Sequence, residues 1–524
     1  MKTLFKILFI PIAIGILLTA PLHSSAQYFQ ALYDIDSSQD FGWNIFLQPD
    51  SNYFIIGASQ LTSGYEVMNF MQISADGNSV LSRHVLSIDS ASIYQGNPGQ
   101  VQKLSDGGYI IPITIQYPTS TSFNSTVGFL RVNDTGGIVF MKTYTDTSIH
   151  FDIFSTCSVM PDGGFLGGGH RQLNATTIVA LLVRTDSFGD TLWTHTYQKY
   201  ASQEAFIQTV TPLNGNRILV GAFSVVWVYD KYGNVDANVP WFLILDSMGN
   251  IIKDTLYDYP PYGGGGSIYK DKNGGYFHEG QIINSSFNSS EPFIYSEGST
   301  YVAHLDTNFH IQWFTLLPYD TTTYFERFVE ALFQLEDGNI LAFGESLPNY
   351  ISSGPAMGWA AKFDRTTGAM LWQHLYTSDA THDSYIRGVV EKPDGSLVFT
   401  GTSMNDTLPA WHTNEDVWLV GTDSNGCQVI GCSPDTPTAV TSIAVPKEEL
   451  LIYPNPTNNN FIVKTTEQGS FSLYTMQGQL LQQYNITATE TNLQLPPNLA
   501  PGIYIGIFTG SNGSRNIIRL VYQP

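Results

Sequence analysis

The sequence predicts an all-β protein, a seven-bladed β-propeller followed by a small C-terminal β-sandwich. Three observations favour this fold. A pair of turn signals recurs seven times, and successive copies are 52 to 64 residues apart. The composition is typical of short strands joined by many turns, with 13% aromatic residues, only 13% charged residues and 47 glycines. No long amphipathic helical pattern is evident.

The clearest copy of the repeat runs from Phe328 to Tyr376. It contains two pairs of apolar runs, the first joined by Asp337-Gly338 and the second by Arg365-Thr366-Thr367-Gly368. Short apolar runs on either side of such turn residues predict β-hairpins. Two hairpins make a four-stranded sheet that cannot bury both of its faces alone, so further copies must pack against it.

Both turns recur along the chain. The first turn is anchored at Asp50, Asp106, Asp162, Asn214, Asn273, Asp337 and Asp394, and the second lies near Asp76, Asp134, Asp186, Asp246, Asp306, Asp364 and Asp423. A glycine follows the first anchor by seven residues in six copies, at Gly57, Gly169, Gly221, Gly280, Gly344 and Gly401, and Ile113 takes this place in the other copy. A fixed period of this length with four strands per copy is typical of a β-propeller.

The two ends of the repeat array predict how the ring closes. The seventh copy begins at Tyr385 and has only three clear strands, whereas Tyr28–Tyr33 resembles an outer strand. We therefore expect the N-terminal segment to supply the outer strand of the last blade. Cys427 and Cys432 are close enough to form a disulfide bridge that reinforces this closure in an oxidising compartment. Cys157, in an apolar strand, is expected to be a buried thiol.

The chain is predicted to be exported and to consist of four segments. Residues 1–26 have the lysines, apolar run and small residues of a secretory signal peptide. The propeller is predicted over 27–435, a Pro/Thr-rich linker over 436–447 and the C-terminal module over 448–524. No second apolar stretch is long enough to cross a membrane. A net charge of −22 makes nucleic acids and anionic membrane surfaces poor partners.

The C-terminal module carries four short motifs, YPNPT at 453–457, MQGQ at 476–479, LAPGIY at 499–504 and RLV at 519–521. In this order and at this spacing they resemble the C-terminal sorting domain of proteins exported by the type IX secretion system of Bacteroidota. The matching positions include Pro454, Asn455, Pro456, Gly478, Gly502, Tyr504 and Arg519, the last where lysine is common. The resemblance implies recognition by the secretion machinery, removal of the tail by a sortase, and attachment at the cell surface or release.

The fourth and fifth copies have the longest connections and are predicted to form a binding face. These connections run over Ala222–Pro240 and Gln281–Thr300. The candidate ligand-binding residues are Trp227, Tyr229, Tyr232, Asp236, Trp241, Phe287, Phe293 and Tyr295. Aromatic rings stack on sugar faces and acids accept hydrogen bonds from hydroxyls, so a glycan or protein ligand is expected. The alternative is that these rings only pack the loops onto the propeller rim.

No catalytic residue, metal site or cofactor is predicted from motifs. The chain has no pair of histidines at metal-binding spacing, and His278 and Glu279 are neighbours in a strand, where their side chains point to opposite faces. Acids near strand ends leave open a glycan-active enzyme with carboxylates at the propeller axis. They are Glu326, Glu330, Glu345 and Asp383. A purely structural or adhesive surface protein is a third reading.

Overall fold

The structure is a computed structural model. It describes residues 28–34, 39–61, 63–118, 123–144, 151–174, 177–199, 204–230, 233–256, 265–283, 298–317, 325–348, 354–379, 382–405, 414–429, 442–443, 451–455, 457–465, 467–475, 479–497, 499–511 and 515–523. The predicted signal peptide lies outside these residues, as do Tyr232, Phe287, Phe293, Tyr295, Cys432, Pro456 and Gly478. The chain divides into two compact units, Met1–Ile443 and Ala444–Pro524.

The described part of the chain is all-β, and none of it forms a helix long and apolar enough to cross a membrane. In the first unit the described strands form consecutive groups that are antiparallel within themselves, and one parallel pair, Phe151 with Ser125, joins the second and third groups into a single sheet. The first group is β2 (Gln39–Leu47), β3 (Tyr53–Gln60), β4 (Glu66–Ile73) and β5 (Val80–Leu86). The second is β6 (Ser92–Gln95) with β7 (Gln102–Lys103), then β8 (Tyr109–Pro118), β9 (Phe123–Val132) and β10 (Ile138–Thr143). The third is β11 (Phe151–Val159), β12 (Phe165–Asn174), β13 (Thr177–Thr185) and β14 (Thr191–Tyr197).

The remaining groups of this unit follow the same order. The fourth is β15 (Ala205–Leu213), β16 (Arg217–Asp230), β17 (Gly233–Leu245) and β18 (Ile251–Leu256). The fifth is β19 (Ile268–Lys270), β20 (Tyr276–Ile283), β21 (Gly298–Leu305) and β22 (Ile311–Leu317). The sixth is β23 (Phe325–Gln334), β24 (Ile340–Pro348), β25 (Met357–Phe363) and β26 (Met370–Tyr376). The seventh is β27 (Ser384–Glu391), β28 (Leu397–Asn405), β29 (Asn414–Thr422) and β1 (Phe29–Tyr33).

The hairpin turns lie where the sequence predicts them and are stabilised by their aspartate and glycine residues. The Asp337 carboxylate accepts the backbone N–H of Asn339 at 2.9 Å, and Gly338 has φ 87°. An aspartate at the start of a turn and a glycine in the left-handed region are the residues that such turns require. The same aspartate-to-backbone bond closes the turns at Asp50, Asp106, Asp162 and Asp394. These local signals explain why the repeat could be recognised from the sequence.

Apolar clusters join each strand group to the next. One cluster lies between every successive pair of groups, and another packs Ile45 and Ile55 of the first group against Val398 and Leu419 of the seventh. Tyrosines that end or follow outer strands add hydrogen bonds between groups. Tyr197 donates to the carbonyl of Gly249 at 2.7 Å, and Tyr376 donates to that of Gly426 at 2.9 Å. The groups therefore follow one another around a closed circuit.

The N-terminal segment completes the seventh group, as predicted. Strand β1 pairs antiparallel with β29, and Leu32 lies opposite Trp418. Tyr33 donates a hydrogen bond to the carbonyl of Gly77 in the first group at 2.5 Å. Cys427, which follows β29, is disulfide-bonded, whereas Cys157 is a free buried thiol. The pairing of Cys427 with Cys432 stays a prediction.

Two segments differ from their predicted form. The fourth group's connection is not an irregular loop, because β16 and β17 extend as a hairpin from Ile218↔Leu245 to Asp230↔Gly233. The alternating β-branched and aromatic residues of this stretch have high strand propensity, which outweighs its length as a loop signal. The predicted linker contains a short strand, β30 (Ser442–Ile443), which pairs with the outer strand β22. An outer strand has unpaired backbone groups that such a segment can satisfy.

The second unit consists of two antiparallel sheets around one apolar core. One sheet is β31 (Leu451–Tyr453), β32 (Asn460–Lys464) and β35 (Glu490–Gln494); the other is β34 (Leu480–Ile486), β33 (Gly469–Tyr474), β36 (Gly502–Gly510) and β37 (Arg515–Tyr522). Phe461 and Val463 of the first sheet pack with Phe471, Phe508 and Leu520 of the second. The alternation of buried and exposed residues along β36 is what places one face on this core.

Candidate functional site

In five of the seven groups a β-bulge in the innermost strand turns one residue out of the strand pairing. In the sixth group Val329 pairs with Gly344 and Ala331 pairs with Phe343, so no residue of β24 lies opposite Glu330 in the strand register. The same shift occurs around Trp43, Ser155, Gln208 and Arg387. A bulge re-aims the side chain of the extra residue. The bulged residues of different groups can therefore converge on the interior of the circuit.

The repeated glycines make these bulges possible. A Cβ added at Gly57, Gly169, Gly344 or Gly401 would lie far closer than 3.0 Å to a carbonyl oxygen of the innermost strand. That oxygen belongs to the residue two places before the bulged one, for example Tyr385 before Arg387. Only glycine allows two backbones to approach this closely. In the first, third, sixth and seventh groups the glycine is thus a requirement of the bulge.

Residues of four groups line one cavity of about 310 Å³, called here the central cavity. It is lined by Asn97, Gln208, Phe223, Gly265, Gly266, Ser267, Glu279, Thr300, Val329 and Glu330. The Asn97 amide donates a hydrogen bond to the Gln208 side-chain oxygen at 2.8 Å, although the second and fourth groups are not neighbours. Phe223 stacks on Phe206 with ring centroids 4.8 Å apart. The cavity therefore combines hydrogen-bonding groups with an aromatic side chain.

Arg387 ties the carboxylates beside this cavity together. Its guanidinium forms a short ion pair with Glu330 and lies 3.1 Å from a carboxylate oxygen of Glu345. It also lies over the ring of Tyr385, whose hydroxyl donates to Asp383 at 3.2 Å. Burial raises the pKa of Glu345, and the positive charge of Arg387 opposes this rise. One cation thus holds two partly buried acids at the edge of the cavity.

Glu279 is the most buried acid of the central cavity. Glu279 is only 8% exposed. Burial raises the pKa of Glu279 to about 8, a hydrogen bond from Ser267 opposes the rise, and the charge of Glu330 adds to it. At neutral pH the Glu279 carboxyl therefore holds a proton. His278 points to the opposite face, where it bonds to Ser267 and Tyr301, and burial lowers its pKa to about 4.

A second cavity of about 240 Å³ is mostly apolar. It is lined by residues of five groups, among them Ile45, Val101, Tyr269, Leu332 and Val389. Burial raises the pKa of Tyr269, and the charges of Glu279 and Glu330 add to this rise. Tyr269 lines the apolar cavity and is close enough to both acids for their charges to act on it.

The structure changes the list of predicted binding residues. Trp241 is 1% exposed and belongs to the apolar cluster between the third and fourth groups, so its assignment to a binding face is wrong. A tryptophan at a strand position that faces a neighbouring sheet is a core residue. Trp227 and Asp236 lie opposite each other in the β16–β17 hairpin, and Tyr229 lies opposite Asn234. The side chains of Trp227, Tyr229 and Asp236 lie outside the described part of the structure.

The acids predicted near strand ends have different outcomes. Glu330 and Glu345 are brought together by Arg387, and Asp383 lies nearby with its carboxylate accepting the Ala356 N–H at 2.6 Å. The side chain of Glu326 lies outside the described residues. The sequence did not single out Asn97, Gln208 or Arg387. For Gln208 and Arg387 the signal is distance from the turn, because most bulged residues precede the anchor by seven positions and Gln208 precedes Asn214 by six; Asn97 is not a bulged residue and does not share this signal.

Among the described residues, no group of three or more histidine, cysteine or acidic side chains could hold a metal ion. A third cavity, about 470 Å³ in volume, lies between the turns of the third and fourth groups. Its polar groups satisfy one another, since Arg184 is paired with Asp162 and the Trp193 indole donates to Ser247. The central cavity is therefore the better candidate for a binding site.

The motif residues of the second unit connect its first segment to its last strand. The Asn455 side chain accepts the backbone N–H of Val521 at 2.8 Å, and Thr457 N–H donates to the Val521 carbonyl at 2.8 Å. The Tyr504 hydroxyl donates to the Ala500 carbonyl at 2.5 Å. Residues 451–521 match the family described as a secretion system C-terminal sorting domain.

The second unit is a C-terminal sorting domain. This confirms the resemblance of the tail, and it indicates type IX secretion to the cell surface or the extracellular space. The sorting domain also makes the secretion machinery a partner of the chain. It does not bear on the activity of the first unit.

Solved structures similar to the chain are distant relatives in sequence. A polysaccharide lyase of family PL25, an ulvan lyase bound to a saccharide, is 9% identical with a TM-score of 0.46, over 75% of this chain and 96% of that one. The β-propeller domain of the trilobed protease of Pyrococcus furiosus is 8% identical with a TM-score of 0.38, over 75% and 98%. A protein of unknown function from Dyadobacter fermentans is 11% identical with a TM-score of 0.40, over 75% and 97%. No curated protein sequence matches the chain.

Deletion of the sorting domain is expected to block export. A chain that ends at residue 450 should accumulate inside the cell envelope, because the secretion machinery no longer finds the tail that it recognises. Fractionation of the native host followed by immunoblotting measures this. The control is Gln482→Ala on the exposed side of β34, which should be exported normally. Export of the truncated chain would contradict the prediction.

Proposed function

We propose that the protein is a secreted glycan-binding β-propeller. In this proposal each strand group is one blade of a seven-bladed ring, the sorting domain is a β-sandwich, and the host belongs to the Bacteroidota. The protein binds its ligand in the central cavity without chemical change. The recurrent groups, the apolar clusters between them and the pairing of β1 with β29 support the propeller.

The convergence of polar side chains from non-neighbouring groups carries the binding proposal. Asn97, Gln208, Ser267 and Glu330 present amide, hydroxyl and carboxylate groups to one cavity, and Phe223 adds an aromatic ring. Sugars present hydroxyl groups in several directions together with apolar ring faces. A binding site needs a few convergent polar groups in a concave surface, and a propeller interior provides that concavity.

A glycan array tests the proposal. The purified full chain should bind at least one class of glycan, and Gln208→Ala should weaken that binding about tenfold or more, since one buried ligand hydrogen bond is lost. Gln482→Ala in the sorting domain is the matched control and should bind normally. No binding to any glycan would overturn the proposal and favour a protein ligand or a structural role.

A Trp227→Ala variant distinguishes a ligand site in the central cavity from one on the β16–β17 hairpin of the fourth group. If the ligand lies in the central cavity, this substitution should leave affinity within about twofold of the wild type. Loss of binding in Trp227→Ala with normal binding in Gln208→Ala would instead place the site on the β16–β17 hairpin, as the sequence first suggested.

A glycan-active enzyme is the second candidate, and the pair Glu279 and Glu330 favours it. Both carboxyl groups line the central cavity, and Glu279 holds a proton at neutral pH. Glycosidases use one protonated and one ionised carboxyl group on either side of the bond they cleave. Reducing ends released from a glycan that the array identifies would support this candidate. Release that persists in Glu279→Gln would exclude Glu279 as the acid.

A further inference from the structure

Acidic side chains outnumber basic ones around the central cavity. Glu279 and Glu330 line it, and the guanidinium of Arg387 is shared between Glu330 and Glu345. Among the described lining residues there is no lysine, arginine or histidine. Isolated charges are costly to bury, so Arg387 pairs with Glu330 and Glu345, whereas Glu279, with no basic side chain among the described lining residues, keeps its proton at neutral pH.

We propose that the ligand of the central cavity is a glycan with unacetylated amino sugars, whose ammonium group pairs with Glu279. This inference rests on the proposed glycan-binding function and names its ligand class. The hydroxyl groups of such a sugar would bond to Asn97 and Gln208, and its ammonium group would take the place of the proton on the Glu279 carboxyl. Charge-assisted hydrogen bonds of this kind are about twice as strong as neutral ones.

The groups around Glu279 are consistent with proton release on binding. Glu330 of β23 faces it with a negative charge, Tyr269 of β19 lies beside both acids, and Ser267 donates a hydrogen bond to it. Arg387 of β27 is engaged by Glu330. An ammonium group beside Glu279 would favour its ionised form, which lowers the pKa of the carboxyl from about 8 and releases its proton to solvent.

Two oligosaccharides that differ in one charge per ring test the inference. Calorimetry at about pH 5, where the amino groups are largely protonated, compares a glucosamine oligomer with an N-acetylglucosamine oligomer of equal length. We expect the glucosamine oligomer to bind about tenfold or more tightly. Titrations in two buffers with different ionisation enthalpies should show about one proton released per ammonium group bound near Glu279.

Substitution of the acid tests its role. Glu279→Gln should reduce the preference for the glucosamine oligomer to about twofold or less and abolish proton release, because the amide carries neither charge nor proton to lose. The control is Glu336→Gln on an exposed hairpin turn, where the side chain is 84% exposed, and this variant should behave as the wild type. The two-buffer measurement on the wild type does not depend on how the variant folds.

The outcomes separate this inference from the proposed function. Equal affinity for the two oligomers, or tighter binding of the acetylated one, would overturn the amino-sugar assignment and leave glycan binding intact. Binding of some other neutral glycan with no binding of either oligomer would do the same. Failure of every glycan would overturn both.

Discussion

Gly401→Ala is expected to destabilise the first unit by about 3 kcal/mol or more. The added methyl group would meet the carbonyl oxygen of Tyr385, and both belong to paired backbone that cannot move without loss of the β27–β28 hydrogen bonds. The bulge at Arg387 depends on this approach. Loss of the bulge would also shift the Arg387 guanidinium away from Glu330.

Urea denaturation followed by tryptophan fluorescence measures this effect. All nine tryptophans precede residue 450, so the fluorescence of the full chain reports the first unit and not the sorting domain. Gly64→Ala is the control. That glycine has φ 85° and no atom within 4 Å of an added Cβ, so only the left-handed backbone cost of about 1 kcal/mol is expected. Equal destabilisation by the two substitutions would show that close backbone approach is not the cause.

Arg387→Met is expected to destabilise the first unit by about 3 kcal/mol at pH 8 and by clearly less at pH 5. The substitution leaves Glu330 and Glu345 facing each other without a cation. Burial already raises the pKa of Glu345, and removal of Arg387 leaves this rise unopposed. The folded variant then binds a proton that the unfolded chain has lost, so its stability falls as pH rises from about 5 to 8.

Two further variants separate the buried ion pair from a general loss of packing. Arg387→Met combined with Glu330→Gln should recover most of the stability at pH 8, because one unpaired negative charge has been removed. Arg131→Met removes an exposed partner of Asp106, with side chains 27% and 54% exposed, and should cost less than about 1 kcal/mol at either pH. A penalty for Arg387→Met that does not change with pH would refute the electrostatic explanation.

The repeat and its turns were predictable because their chemistry is local. Asp337 accepts a hydrogen bond from the backbone N–H of Asn339, two residues later. Such a turn can be recognised from about four consecutive residues. The pairing of β1 with β29 was also predictable, since the seventh copy lacked one strand and the N-terminus supplied a matching one. Both features can be predicted from the spacing of the turn residues and the number of strands in each copy.

The central cavity was not predictable in the same way. Glu279, Glu330 and Arg387 come from three different strand groups, and their convergence depends on bulges and on the curvature of the whole circuit. Trp241 was misplaced for a related reason. Its aromatic character indicated a binding loop, but its register opposite Ala222 in a long hairpin turns it into the core. Side-chain direction in a strand follows register, and a shift of one residue reverses it.

The closing strand β1 has a consequence for the order of assembly. Leu32 pairs with Trp418, so the first strand of the chain cannot reach its final position until nearly the whole first unit has been synthesised. The entropic cost of joining such distant segments grows only with the logarithm of their separation. Gln30 also donates to the Ser378 carbonyl of the sixth group at 2.9 Å, and Tyr33 to Gly77 of the first. Proteolytic removal of the residues up to Tyr33 would therefore open the circuit between its first and last groups rather than only shorten the chain.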